Sequence, residues 1–116
     1  MSEAINTALS ALRATLRKQD ATAHNIANVN THDFKKSRAV FEETSPAGVK
    51  VTISRVETPG TPLPHDDAIG DGHEMSSVSL EEELVDLITT RHSFSANVKT
   101  LQTEDEMQGA LLDIIA

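Results

Sequence analysis

The stretch VSLEEELVDLITTRHSFSANVKTLQTEDEMQGALLDIIA, residues 78–116, decides the fold. Stepping alternately by four and three from Leu80 passes Leu84, Leu87, Arg91, Phe94, Val98, Leu101, Asp105, Gln108, Leu112 and Ile115, and eight of these eleven positions are apolar. A repeat of 3.5 residues lays a narrow apolar seam along an α-helix, and a stripe of that width is covered by another helix. Ser79 stands just before Glu81, Glu82 and Glu83. Its hydroxyl is expected to accept from the Glu82 backbone N–H, with the three carboxylates beside the positive helix end. No proline interrupts the stretch. The predicted helix, 79–115, would be about 50 Å long at ~1.5 Å per residue, more than a compact chain of this size can enclose. The molecule is therefore expected to be elongated, or to complete its helices in an assembly.

Working outward, the N-terminal residues carry a matching seam. Ile5, Leu9, Leu12, Leu16, Gln19, Ala23 and Ile26 again step by four and three, among helix-favouring Ala, Leu, Arg and Gln. A second long helix is predicted over 3–29. Ala21, Ala23 and Ala27 would let another helix approach closely near its end. It should stop at Asn28–Asn30, because the run Asn28-Val29-Asn30-Thr31-His32-Asp33 mixes a β-branched residue with side chains that bond to their own backbone and tolerate left-handed φ.

Between the helices, Val49, Val51 and Ile53 alternate with Lys50, Thr52 and Ser54, the period of a half-buried strand. Residues 36–43 are its expected partner across 44–48, as a hairpin. Pro59, Gly60, Pro62, Pro64, Gly70 and Gly72 then predict an irregular, mobile surface loop over 58–72. The fold class is mainly α: two long terminal helices with heptad seams forming a coiled-coil-like pair or bundle, plus a small β hairpin and an irregular loop. The organisation is one domain in three parts, an N-terminal assembly helix (1–30), the hairpin and Pro/Gly-rich loop (31–77), and a C-terminal assembly helix (78–116).

Composition fits helix packing by aliphatic side chains, since 38% of the 116 residues are hydrophobic but only 3% are aromatic, with no Trp or Tyr. The absence of Cys removes disulfides and thiolate metal sites. A formal net charge of −8 argues against nonspecific nucleic-acid binding. Its distribution says more. Residues 1–38 carry six basic groups against three acidic ones, whereas residues 78–116 carry two against eight. The two ends are complementary, either to select partners or simply as solvated helix faces, where an exposed pair is worth under about 1 kcal/mol. The start, Met1-Ser2-Glu3-Ala4-Ile5, has no basic n-region, and no run reaches the length of a membrane span. Neither a cleaved signal peptide nor membrane insertion is expected.

Chemistry-bearing motifs are missing. The chain has no phosphate-cradling Gly-rich loop, no His-Glu-x-x-His and no Gly-x-Ser-x-Gly, so no catalytic residue, cofactor or small-molecule substrate is expected. His65, Asp66, Asp67, Asp71, His73 and Glu74 could hold a divalent cation if their loop folded back, but without helical spacing the simpler reading is a solvated acidic loop, and no metal is assigned. His24 and His92 read as flanking side chains. Arg91 and Asp105 sit on the seam, where a polar residue either fixes register or lies at the edge and reaches water.

The run Asn25-Ile26-Ala27-Asn28-Val29-Asn30-Thr31-His32-Asp33-Phe34-Lys35 resembles the N-terminal signature of the bacterial flagellar axial proteins, the rod, hook and hook-associated subunits. That signature reads roughly Asn-Ile-Ala-Asn, two variable residues, Thr, a variable residue, Gly, then an aromatic and a basic residue. The matching motif residues here are Asn25, Ile26, Ala27, Asn28, Thr31 and Phe34. The run Leu80–Ile88, with Arg91, Phe94, Ala96-Asn97, Leu101, Asp105-Glu106-Met107 and Leu112–Ile115, is similar to the family's paired C-terminal signature. The middle is too short for a hook or distal-rod subunit, so the chain looks most like a short proximal-rod protein. Asp33 stands where the family has its turn glycine. The resemblance implies a structural basal-body rod subunit for flagellum-dependent motility, located where the rod crosses the periplasm and exported without a cleaved signal peptide. It would polymerise with itself and with other rod or hook subunits through an interface that includes Ile5, Leu9, Leu12, Leu16, Ile26, Leu80, Leu84, Leu87, Phe94, Val98, Leu101, Leu112 and Ile115. The alternative reading of the same seams is a free-standing helical oligomerisation or adaptor module that binds a partner helix.

Overall fold

The computed structural model describes residues 2–116, so Met1 of the expected N-terminal unit lies outside the described residues. Helix α1 spans Ser2–Ala27, strands β1 and β2 span Ser37–Glu43 and Val49–Arg55, and helix α2 spans Leu80–Ile115. The body measures 78 × 25 × 16 Å, elongated as the uninterrupted C-terminal helix requires.

Helix α1 is the middle layer, with α2 against one side and the hairpin against another, while the strands do not touch α2. Lys18 Nζ lies 3.8 Å from Asp86 Oδ1, and Thr22 lines a cleft with Glu83, so the helices run antiparallel. With Lys18 level with Asp86, the start of α1 falls beside about residue 102 of α2. The last turns of α2 therefore overhang by roughly 20 Å at ~1.5 Å per residue. Burial agrees for the tip, where residues 109–116 are all exposed, whereas Glu104 and Gln108 before it are half-buried.

The expected seams are not the faces that close on each other. In α1 the buried side chains are Ala8, Ala14, Thr15, Ala21, Thr22 and Asn25, whereas Leu9 and Leu16 of the leucine stripe are exposed and Ile5, Leu12 and Ile26 half-buried. In α2 the covered positions are Glu83, Leu87, Thr90, Phe94, Asn97, Leu101, Glu104 and Gln108. That line also steps by four and three. It shares Leu87, Phe94, Leu101 and Gln108 with the expected seam but is rotated by one residue elsewhere, leaving Leu80, Leu84, Arg91, Asp105, Leu112 and Ile115 exposed and Val98 half-buried. Within the single chain Arg91 and Asp105 thus reach solvent. The physical reason is size: Ala and Thr let the helix backbones and the hairpin approach α1 closely on two sides, which leucines would prevent. The covered seam is partly polar, and Thr90 Oγ1 and Glu104 Oε2 lie out of water with no hydrogen-bond partner among the described residues.

The hairpin pairs Ser37 with Arg55 through Glu43 with Val49, across the turn expected from the sequence, and Ser37, Ala39, Val49 and Val51 are its half-buried strand residues. Val49 N donates to Ser10 Oγ at 3.0 Å, fixing the turn end of the hairpin on α1. Gly48 is required at that point, since φ is +129° and a Cβ would stand 3.0 Å from Ser10 Oγ. Two local expectations need correction. Ser79 makes no side-chain cap to the backbone; its hydroxyl donates instead to Glu81 Oε2 at 2.9 Å. The loop is also not free throughout, because Leu63 N donates to His73 O and Met75 N to Thr61 O, pairing 61–63 with 73–75.

Candidate functional site

The motif residues build a corner at the end of α1. Asn25 is only 1% exposed. Its Oδ1 accepts from Ser37 N and its Nδ2 donates to Ser37 O, each at 2.8 Å, so one side-chain amide pairs with a strand residue as a neighbouring strand would. Asn28 closes the helix, with its N–H on His24 O and Asn25 O and its Nδ2 on His24 O at 2.9 Å. Its Oδ1 accepts from Thr31 Oγ1 at 3.1 Å. Phe34 sets its ring edge-on to His24, with centroids 5.5 Å apart, and its carbonyl accepts from Ser77 N. Ile26 is half-buried, and Ala27 is exposed with no contact that explains it.

A polar knot ties this corner to the chain that enters α2. Asp33 has φ +60°, so it takes the left-handed conformation in place of glycine at the modest cost Asp allows. Its N–H donates to Glu74 O at 2.8 Å, its Oδ1 accepts from Glu74 N at 2.8 Å, and its Oδ2 meets His73 Nδ1 at 2.5 Å. That hydrogen bond raises the His73 imidazole above its ordinary value, and it lowers the Asp33 carboxyl with help from the Glu74 N–H. Glu74 Oε2 accepts from Lys35 Nζ at 2.5 Å and from Gly60 N at 2.7 Å, which hold its carboxyl below the usual range. Gly60 leaves no space for a side chain, since a Cβ there would lie 1.9 Å from Met75 O.

This knot divides the acidic cluster considered for a cation. His65 reaches Asp71 and Asp67, at 2.5 and 3.3 Å, while His73 and Glu74 turn to Asp33 and Lys35. Among the described residues no group of three or more His, Cys, Asp or Glu side chains could hold a metal ion. No helix is long and apolar enough to cross a membrane. Sequence reasoning marked His73 and Glu74 for a cation rather than for this role, and missed Ser10, Ser37 and Gly60 as positioning residues. Of these three, Gly60 alone carried a signal, as one breaker among many.

The second feature is what the fold leaves uncovered. Leu9 and Leu16 on α1, and Leu80, Leu84, Val85 and Ile88 on the first turns of α2, all face water. On the overhang Leu111, Leu112, Ile114 and Ile115 are 44%, 66%, 80% and 80% exposed.

Residues 5–35 match the family model described as flagella basal body rod protein, and residues 73–114 match the one described as flagellar basal body rod FlgEFG protein C-terminal. The chain belongs to the flagellar basal-body rod family. A comparison with curated proteins gave no match. Family membership places this rod protein in the basal body as a structural subunit that assembles with other rod or hook subunits. The two matched segments meet at the knot, where Asp33 and Lys35 from the first bind His73 and Glu74 from the second. The hairpin and the 64–72 loop lie in the unmatched middle.

Proposed function

We propose that this rod protein polymerises through α1 and α2, with copies of itself and with neighbouring rod subunits, into the part of the basal body that crosses the periplasm, and that motility depends on it. The observation that carries this reading is the set of large aliphatic side chains outside the fold, while the buried apolar residues are Ala8, Ala14 and Ala21. Burying one Leu or Ile side chain is worth about 1.5–3 kcal/mol, against about 0.8 for a methyl group. A chain that sets alanines inside and leucines outside gains more by associating than by its own closure. In the proposed arrangement the helices supply adhesion, the hairpin and the 64–72 loop are spacer and outer surface, and the basic N-terminal and acidic C-terminal flanks favour unlike over like helices.

Deleting residues 109–116, all exposed, should leave the monomer folded but abolish incorporation and motility. Shortening the loop within 64–72 should be tolerated. Swimming assays with basal-body fractionation read both. If the helix truncation incorporates normally while the loop deletion does not, assembly through the helices is wrong. Normal motility without the protein would favour a free-standing adaptor.

A further inference from the structure

Between α1 and β2 runs a groove of about 460 Å³ lined by Arg13, Leu16, Arg17, Asp20 and Ile53. Leu16 and Ile53 are 49% and 39% exposed on its surface. Arg13 and Arg17 make no ion pair among the described residues, in contrast to Lys18, Lys35 and Lys36. A seat with apolar side chains beside two guanidinium groups and the single carboxylate of Asp20 keeps a basic excess and suits an apolar knob carried by an acidic segment.

The end of α2 has that character. Leu111, Leu112 and Ile115 are spaced three and four apart and so share one helix face. From Glu104 to Ile115 the helix carries Glu104, Asp105, Glu106 and Asp113 with no Lys or Arg, and these carboxylates likewise make no ion pair among the described residues. Within one chain the two surfaces cannot meet. Leu16 lies level with about Ile88, so the Leu112 knob is roughly 35 Å further along the axis at ~1.5 Å per residue.

We propose that this groove is a docking seat for the overhanging end of α2 from a second copy of the chain. The proposal rests on the rod-subunit reading and deepens it by naming the surfaces that meet. Because groove and knob are different surfaces, the contact is head-to-tail, and its repetition gives an open filament rather than a closed dimer.

The chain has no cysteine, so single thiols report the contact cleanly. Full-length Leu16→Cys and Ile115→Cys chains are mixed in equal amounts and mildly oxidised, with circular dichroism melting to confirm that each is folded. Arg13→Cys replaces Leu16→Cys on the same rim if that variant melts early. The mixed dimer is expected well above its random proportion. Adding Arg13→Glu and Arg17→Glu to the groove copy (Arg17→Glu alone when Arg13 carries the thiol) should return it to random, and Asp105→Lys with Asp113→Lys on the other copy should restore it. A random mixture of dimers, or charge reversals without effect, overturns the seat. If the 109–116 truncation still blocks incorporation in cells, the rod reading survives that result; if it incorporates normally, the rod reading itself has failed.

Discussion

Replacing Asn25 with Ala tests the corner most directly, because its amide is buried and has two partners on one residue. The substitution leaves Ser37 N–H and C=O, each now bonded at 2.8 Å, without a protein partner. Stranding a buried polar group costs about 1–3 kcal/mol. Ser37 is half-buried, so the lower half of that range applies to each group, about 2–4 kcal/mol together. Alanine returns roughly 0.6 kcal/mol through its better helix propensity, for a net loss near 2–3 kcal/mol. Against a typical domain stability of ~5–15 kcal/mol that is a large fraction, and at about 4 °C per kcal/mol the melting temperature should fall by roughly 10 °C. Urea denaturation and thermal melting of the purified chain measure it. Asn25→Asp keeps an acceptor for the Ser37 N–H but sets an oxygen against the Ser37 carbonyl, so at neutral pH it should be at least as damaging. A loss under about 0.5 kcal/mol for Asn25→Ala would refute the clamp.

Further expectations follow from other parts of the fold. Gly60→Ala places its Cβ within 1.9 Å of Met75 O, so residues 61–63 should detach from 73–75 with a loss of about 1–3 kcal/mol, seen as faster hydrogen exchange at the Leu63 and Met75 amides. The Asp33–His73 pair should bind most firmly at mildly acidic pH. A raised His73 contributes fully below its unfolded value of about 6.5 and is lost as pH rises through the folded value. A lowered Asp33 contributes above about 3.9 and is lost as pH falls through its folded value. NMR titration of the His73 ring in wild type and Asp33→Asn should show the raised value disappear in the variant. Leu112→Asp, at a position 66% exposed, should leave melting within about 0.5 kcal/mol of wild type while weakening association in sedimentation. Leu87→Asp, on the half-buried line, should lower both.

Much of the corner was legible in the sequence. Asn at helix ends and the Asn-Val-Asn-Thr-His-Asp run mark a stop through short-range hydrogen bonding, and Asp33 at φ +60° is where a non-glycine residue was expected to tolerate a left-handed turn. The hairpin was legible because Val49, Val51 and Ile53 alternate. The partners of Asp33 and Lys35 were not. His73 and Glu74 lie about forty residues away in a stretch with no period, and nothing local indicates which carboxylate an exposed Lys will find.

By itself the sequence determined the elements and their order: an uninterrupted run of helix formers, a period of two, a cluster of breakers, and apolar positions recurring every 3.5 residues. These are properties of a few consecutive residues, set by backbone sterics, local hydrogen bonds and the pitch of a helix. Only the tertiary structure decided which face of each helix is covered. Periodicity shows that Leu9, Leu16, Leu84 and Leu112 form stripes, but it cannot say whether the neighbour that covers a stripe belongs to the same chain. Here Ala8, Ala14, Ala21 and Thr22 are buried and those leucines are exposed. Small side chains let three elements close around α1, and the larger ones stay outside because close approach on two sides leaves no room for them.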